Sequence, residues 1–156
     1  MSPTGPALIC YDGSPSARRA LTAAQKVVGD GPAVLLHVWS APPEVLADSF
    51  STRGGGAPTA ALEAEALERA GAVTAEGVRL AKEAGLTVEV REARSTQAVW
   101  QTILEVADEL DASLLVVGTH GVTAAADALL GSVSHGLLHH SERPVLVVPA
   151  GAQASS

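Results

Sequence analysis

Five short apolar runs, each separated from the next by a stretch with helical spacing, constrain this chain more than any other feature. The runs are Ala7–Tyr11, Ala33–Val38, Thr87–Arg91, Ser113–Val117 and Pro144–Val148. The first, second, fourth and fifth are nearly continuous in Ala, Val, Leu and Ile, as in strands covered on both faces. The third, TVEVR, alternates and belongs nearer an edge. Between the runs, Ser14 caps and Pro15 opens a helix to about Val28, with Ala17, Ala20, Leu21, Ala24, Val27 and Val28 inward. A long helix is expected from about Thr59 to Ala84, with Leu62, Ala66, Val73, Gly77, Leu80 and Ala84 on one side. Gly71 and Gly77 weaken it and allow a kink. Two further helices span about Gln97–Leu110 and Gly131–His140. Strand–helix alternation of this kind predicts an α/β fold: an open parallel sheet with helices on both faces and right-handed crossovers.

The chain has 156 residues, enough for one domain with a real core. That domain is expected over 1–149, with a disordered tail at 150–156. Hydrophobic residues make up 47% and aromatics only 3%, so Ala, Val and Leu must fill the core. No apolar run approaches the ~20 residues of a membrane span, and no signal peptide is visible. The single Cys10 cannot form an internal disulfide, which suits a reduced, cytoplasmic protein. A net charge of −7 disfavours nucleic acid and anionic membrane as partners. Segment 40–58, with its prolines and the Gly54–Gly56 triplet, is long for a connection; it reads either as a lid or binding loop or as an insertion without a role.

In an open parallel sheet, ligands bind beyond the carboxyl ends of the strands where strand order reverses. The first strand ends in Tyr11-Asp12-Gly13-Ser14 and the fourth in Gly118-Thr119-His120-Gly121. If those strands are neighbours, the two loops share a crevice. After Gly121 comes a nine-residue spacer, then Gly131, Ser132, Val133 and Ser134 at the start of the last helix. A helix N-terminus offers unpaired N–H groups and the positive end of its dipole, and glycines let backbone approach a phosphate closely. The local alternatives are plain: Asp12-Gly13-Ser14 also suits a turn and helix cap, and the glycine loop also suits a structural turn. His120 could meet phosphate or face solvent. Asp127 could hold Mg²⁺ or be a solvated loop residue. His135 and His139 have the spacing of a helical ligand pair, but no Cys or carboxylate cluster completes a metal site.

Together, DGSPSARRAL near the start, the G-x2-G-x9-G-S spacing and GSVSHGLLHHSERPVLVV near the end resemble a universal stress protein domain over Ala7 to Pro149. The resemblance implies a Rossmann-like five-stranded parallel sheet of order 3-2-1-4-5. It also implies a homodimer through the last strand, Pro144 to Val148, and, in the nucleotide-binding branch, ATP or another adenine nucleotide in the crevice. It implies that Asp12 contacts the adenosine part and that the backbone at Val38 meets adenine. Gly118, Gly121, Gly131 and Ser132 fall on the phosphate loop, which Val133 and Ser134 continue. Many relatives carry basic residues in this loop; here it reads GTHG and VTAAADALL, and no Lys or Arg occurs between Ser95 and Glu142. Backbone N–H groups, His120, Mg²⁺ or Arg94 are left to offset phosphate charge, which leaves room for weak affinity or for ADP or AMP.

Three functional classes follow. The first is a nucleotide-binding stress or regulatory protein, with occupancy biasing conformation or the choice of a regulatory protein partner. The second is a slow ATPase or adenylate-using enzyme. Against it stand the absence of GxxxxGK[ST], of an evident base beside the glycine loop, and of a Ser/His/Asp or Cys/His constellation. The third is a dimeric interaction module that binds no nucleotide.

Overall fold

The computed structural model describes residues 4–40, 56–120 and 130–151, with the first four residues of the second span described by backbone alone. Most of the 40–58 segment, Gly121, Asp127 and residues 152–156 of the expected tail therefore lie outside the described residues. Strands and helices alternate: β1 (Ala7–Cys10), α1 (Pro15–Val28), β2 (Ala33–Ser40), α2 (Gly56–Glu83), β3 (Val88–Ser95), α3 (Val99–Leu110), β4 (Leu114–Gly118), α4 (Ser132–His140) and β5 (Val145–Val148). All strand pairs are parallel and the order is β3-β2-β1-β4-β5, as expected. In register, Ala7 stands between Ala33 and Leu114, and Leu115 pairs with Val145.

The period-two alternation of the strands divides the core into two layers. Ile9, Tyr11, Leu35 and Val116 face α1 and α2. Leu8, Cys10, Leu36, Leu115 and Val117 face the other way, under α3 and α4. β3 is an edge, as its alternating pattern suggests, but it is longer than expected. It pairs with β2 as far as Ser40↔Ser95, and the polar residues of REARS are tolerated because one side of an edge is open to water.

Local chemistry sets the helix ends. The Ser14 hydroxyl accepts the Ala17 N–H at 3.2 Å, Pro15 occupies the first turn, and the Gly29 N–H donates to Gln25 O at 2.8 Å. Gly29 takes a φ of +57°, which a side chain would oppose. α1 buries Ala17, Ala20, Leu21 and Ala24, but Val27 is 61% exposed. The inward stripe ends on Val28, about 100° around the helix from Val27.

α2 buries a stripe of small residues: Ala66, Ala70, Thr74, Gly77 and Ala81. Val73 and Leu80 flank it, partly buried against the core. Gly77 is there for close approach, since a Cβ would stand 2.8 Å from both Leu35 and Tyr11 side chains. The buried Thr74 hydroxyl is satisfied by donating to Ala70 O at 2.8 Å. At the start of β5, Arg143 is only 13% exposed in its side chain; its Nε donates to Ala112 O and its Nη1 to Asp108, each at 2.7 Å, tying β5 to the end of α3.

Candidate functional site

β1 and β4 are neighbours, so their carboxyl ends open into one crevice at the point where strand order reverses. A cavity occupies it. Of the residues expected there, Asp12, Ser14, Val38, Gly118, His120, Gly131, Val133 and Ser134 line it. Gly13 and Ser132 do not, and Gly121 lies outside the described residues.

On the β1 side, the Asp12 carboxylate accepts the Ser14 N–H at 2.9 Å, closing a turn on Gly13, whose φ is +83°. Only glycine takes that conformation without strain. Gly13 therefore shapes the loop rather than lining the cavity, and Ser14 is at once a helix cap and a wall residue.

On the β4 side, Gly118 is buried against the start of α1. A Cβ there would stand 2.2 Å from Ser16 Oγ and 2.8 Å from Ala17 N. The Ser16 hydroxyl donates to His120 O at 2.8 Å and accepts the His120 N–H at 3.3 Å. Ser16 thus staples α1 to the loop after β4. Nothing in the sequence marks it, because a serine after Ser-Pro is common at helix starts.

The floor comes from α4 and the strands. The Gly131 N–H donates to Thr119 O at 2.6 Å, and the first intrahelical bond of α4 runs from the His135 N–H to Gly131 O at 3.0 Å. The N–H groups of Ser132, Val133 and Ser134 therefore precede any intrahelical acceptor. The Ser134 hydroxyl lies 2.9 Å from Thr119 O and 3.1 Å from Gly131 O, fixing helix to loop. Leu36, Val38, Val99, Ile103 and Val117 supply an apolar wall. Of these, only Val38 was singled out from sequence; the rest read as ordinary core positions, which they also are.

Among the described residues, the cavity is lined by one carboxylate, Asp12, and by no Lys or Arg. Arg94, the basic candidate, pairs with Glu63 at 2.6 Å and lies over the Trp39 ring at 5.9 Å. Its neighbour Ala93 packs in the layer under α3, so strand alternation sends Arg94 to the opposite face of the sheet from Val38. Arg18 Nη2 lies 3.3 Å from Glu76, which also accepts the Tyr11 hydroxyl proton. Burial, helped by the nearby Asp12, pushes the Cys10 thiol up to about 12, so Cys10 is a small hydrophobe in the wall and not a nucleophile. Among the described residues no group of three or more His, Cys, Asp or Glu is placed to hold a metal.

The arrangement suits a flat apolar group against the wall and an anion of modest charge at the α4 terminus. Comparison with known proteins agrees on the fold. Residues 4–149 match the universal stress protein family. A universal stress protein encoded in the QAH/OAS sulfhydrylase 3′ region of Thermus aquaticus is 33% identical over 146 residues, 90% of this chain and 96% of the relative. Among solved structures, a universal stress protein in complex with cAMP superposes with a TM-score of 0.62 at 27% identity, over 96% of this chain and 99% of that one. The Archaeoglobus fulgidus universal stress protein in complex with dAMP gives a TM-score of 0.59 at 18% identity, over 94% and 98% of the two chains. With its sheet order, its crevice and its sequence all in agreement, this chain belongs to the universal stress protein family.

Proposed function

We propose that the crevice binds an adenine nucleotide and that occupancy biases the conformation or partner choice of a cytoplasmic stress-response protein. The observation that carries this reading is the meeting of an apolar wall with the first turn of α4 at Val133 and Ser134, whose N–H groups precede any intrahelical acceptor, in one cavity. Leu36, Val38, Val99 and Ile103 offer apolar surface to the base. Asp12 is placed to accept hydrogen bonds from the ribose, and the α4 terminus and His120 receive phosphate. The relatives bound to cAMP and dAMP support a nucleoside monophosphate as the ligand class. The lack of Lys or Arg among the described lining residues points the same way, since each missing charge-assisted contact removes roughly 1.5–3 kcal/mol from binding of a higher phosphate. Affinity for ATP is micromolar or weaker and rises with Mg²⁺.

Calorimetry with AMP, cAMP, ADP and ATP tests the proposal, with and without Mg²⁺. Heat and a thermal shift with at least one adenine nucleotide are expected. Silence with all four at millimolar ligand sinks it.

We further propose that 1–149 forms one domain that dimerises through β5. Pro144 O and Val148 O accept N–H groups from β4, so by alternation Val145 and Val147 present their own N–H and C=O groups outward. VLVV is an uncharged edge, which a second copy can pair and cover.

A further inference from the structure

α4 also carries three exposed histidines, none of which lines the cavity. His135 and His139 sit one turn apart, with ring centroids 4.4 Å from each other and ring planes 48° apart. Their neighbour His140 is engaged elsewhere. It stacks on Trp100 at 4.2 Å and 14°, and its Nδ1–H donates to Gly136 O at 2.9 Å. Gly136 permits this, because a Cβ there would stand 2.3 Å from the Trp100 ring. α4 is thereby clamped to α3 on one side, and the His135–His139 pair is presented on a fixed helix rather than a loop. Two imidazole nitrogens that share one ion at ~2.0–2.1 Å stand roughly 3–3.5 Å apart, a spacing that rings already in contact reach by small side-chain rotations. The pair also occupies the last two turns of α4, where the helix dipole favours a cation.

We propose that His135 and His139 form a two-imidazole chelate for a divalent transition-metal ion. Imidazole selects Cu²⁺, Ni²⁺ and Zn²⁺ over Mg²⁺ and Ca²⁺, and Cu²⁺ binds tightest of the three. With only two protein ligands, water fills the remaining positions, so the ion is exchangeable rather than structural. The site does not depend on the nucleotide reading.

The test is titration of the full chain with CuCl₂ and, separately, ZnCl₂ at neutral pH, followed on the histidine ring resonances by NMR. Cu²⁺ should broaden His135 and His139 before His37, His120 and His140, and Zn²⁺ should shift the same two. Each of H135A and H139A should weaken Cu²⁺ binding by ~100-fold, the chelate advantage of two linked ligands. H140A should leave it unchanged, and circular dichroism checks that each variant is folded. Equal response of all five histidines, or parental affinity in the folded H135A and H139A variants, would overturn the proposal.

Discussion

Gly118→Ala separates two roles that a glycine at the end of β4 can have. If Gly118 is there for ligand approach, alanine costs nothing until ligand is added. The packing says otherwise. The new methyl would stand 2.2 Å from Ser16 Oγ and 2.8 Å from the Ala17 backbone nitrogen. Ser16 is 1% exposed and already bridges both backbone groups of His120, so it has nowhere to turn. Overpacking of this kind costs ~1–3 kcal/mol. Breaking the Ser16 bridge adds ~0.5–1.5 kcal/mol. The ligand-free protein should therefore lose about 2–4 kcal/mol, or roughly 5–15 °C in Tm for a domain of this size. Urea unfolding without nucleotide measures it. Ser16→Ala removes the closer contact but leaves Ala17 N, so the double variant should be less destabilised than the sum of the single changes. A Gly118→Ala protein with an unchanged unfolding midpoint and impaired nucleotide binding would refute the packing argument.

Burial and the hydrogen bond to Glu76 raise the Tyr11 hydroxyl from 10.0 to about 12. The folded state keeps a proton that the unfolded chain releases, so stability should fall as pH rises from about 10 to about 12; Tyr11→Phe should flatten that slope in pH-dependent urea unfolding, and an unaltered slope would count against the pair. Gly131→Val should abolish nucleotide binding with the fold retained, while Asp12→Ala should weaken binding and cost about 1 kcal/mol through the lost turn; parental affinity by calorimetry in both would misplace the crevice. Val147→Pro removes an outward N–H without touching the ladder to β4, so light scattering should show a dimer falling to monomer or precipitating. A parent mass of 15.7 kDa at high micromolar concentration would remove the dimer altogether.

What was legible in the sequence followed from period and punctuation. Continuous apolar runs located β1, β2, β4 and β5, although β5 is a half-buried edge and not covered on both faces, and Ser14-Pro15 and Gly29 bounded α1 where the structure has it. The resemblance supplied the strand order. What was not legible depended on partners distant in sequence. β3 runs on to Ser95 because β2 continues beside it, and REARS has no strand-like pattern of its own. In α2 the true inward stripe of Ala66, Ala70, Thr74, Gly77 and Ala81 is hidden in an alanine-rich segment where other stripes look equally good. Gly118 reads from sequence as a phosphate-loop glycine, yet the contact that demands it is with α1. At the site, Asp12, His120 and the Gly131–Ser134 region were visible as loop and cap chemistry, and Val38 through the resemblance alone. Arg94 looked available only because its partners Glu63 and Trp39 are remote in the chain.

The two helical layers differ in what they have to lose. Against one face of the sheet, α1 and α2 bury Ala17, Ala20, Ala24, Ala70 and Ala81, side chains with no rotamers to freeze. Against the other, α3 and α4 bury Ile103, Val106 and Leu137, with Trp100 and Val99 partly enclosed. At the alanines of the first layer almost any substitution adds volume that neighbours absorb poorly. The helices of the second layer contribute larger side chains that can change rotamer, and most of the cavity lining lies on that side. Tolerance of the buried helical positions to larger side chains should therefore track the face of the sheet rather than depth of burial.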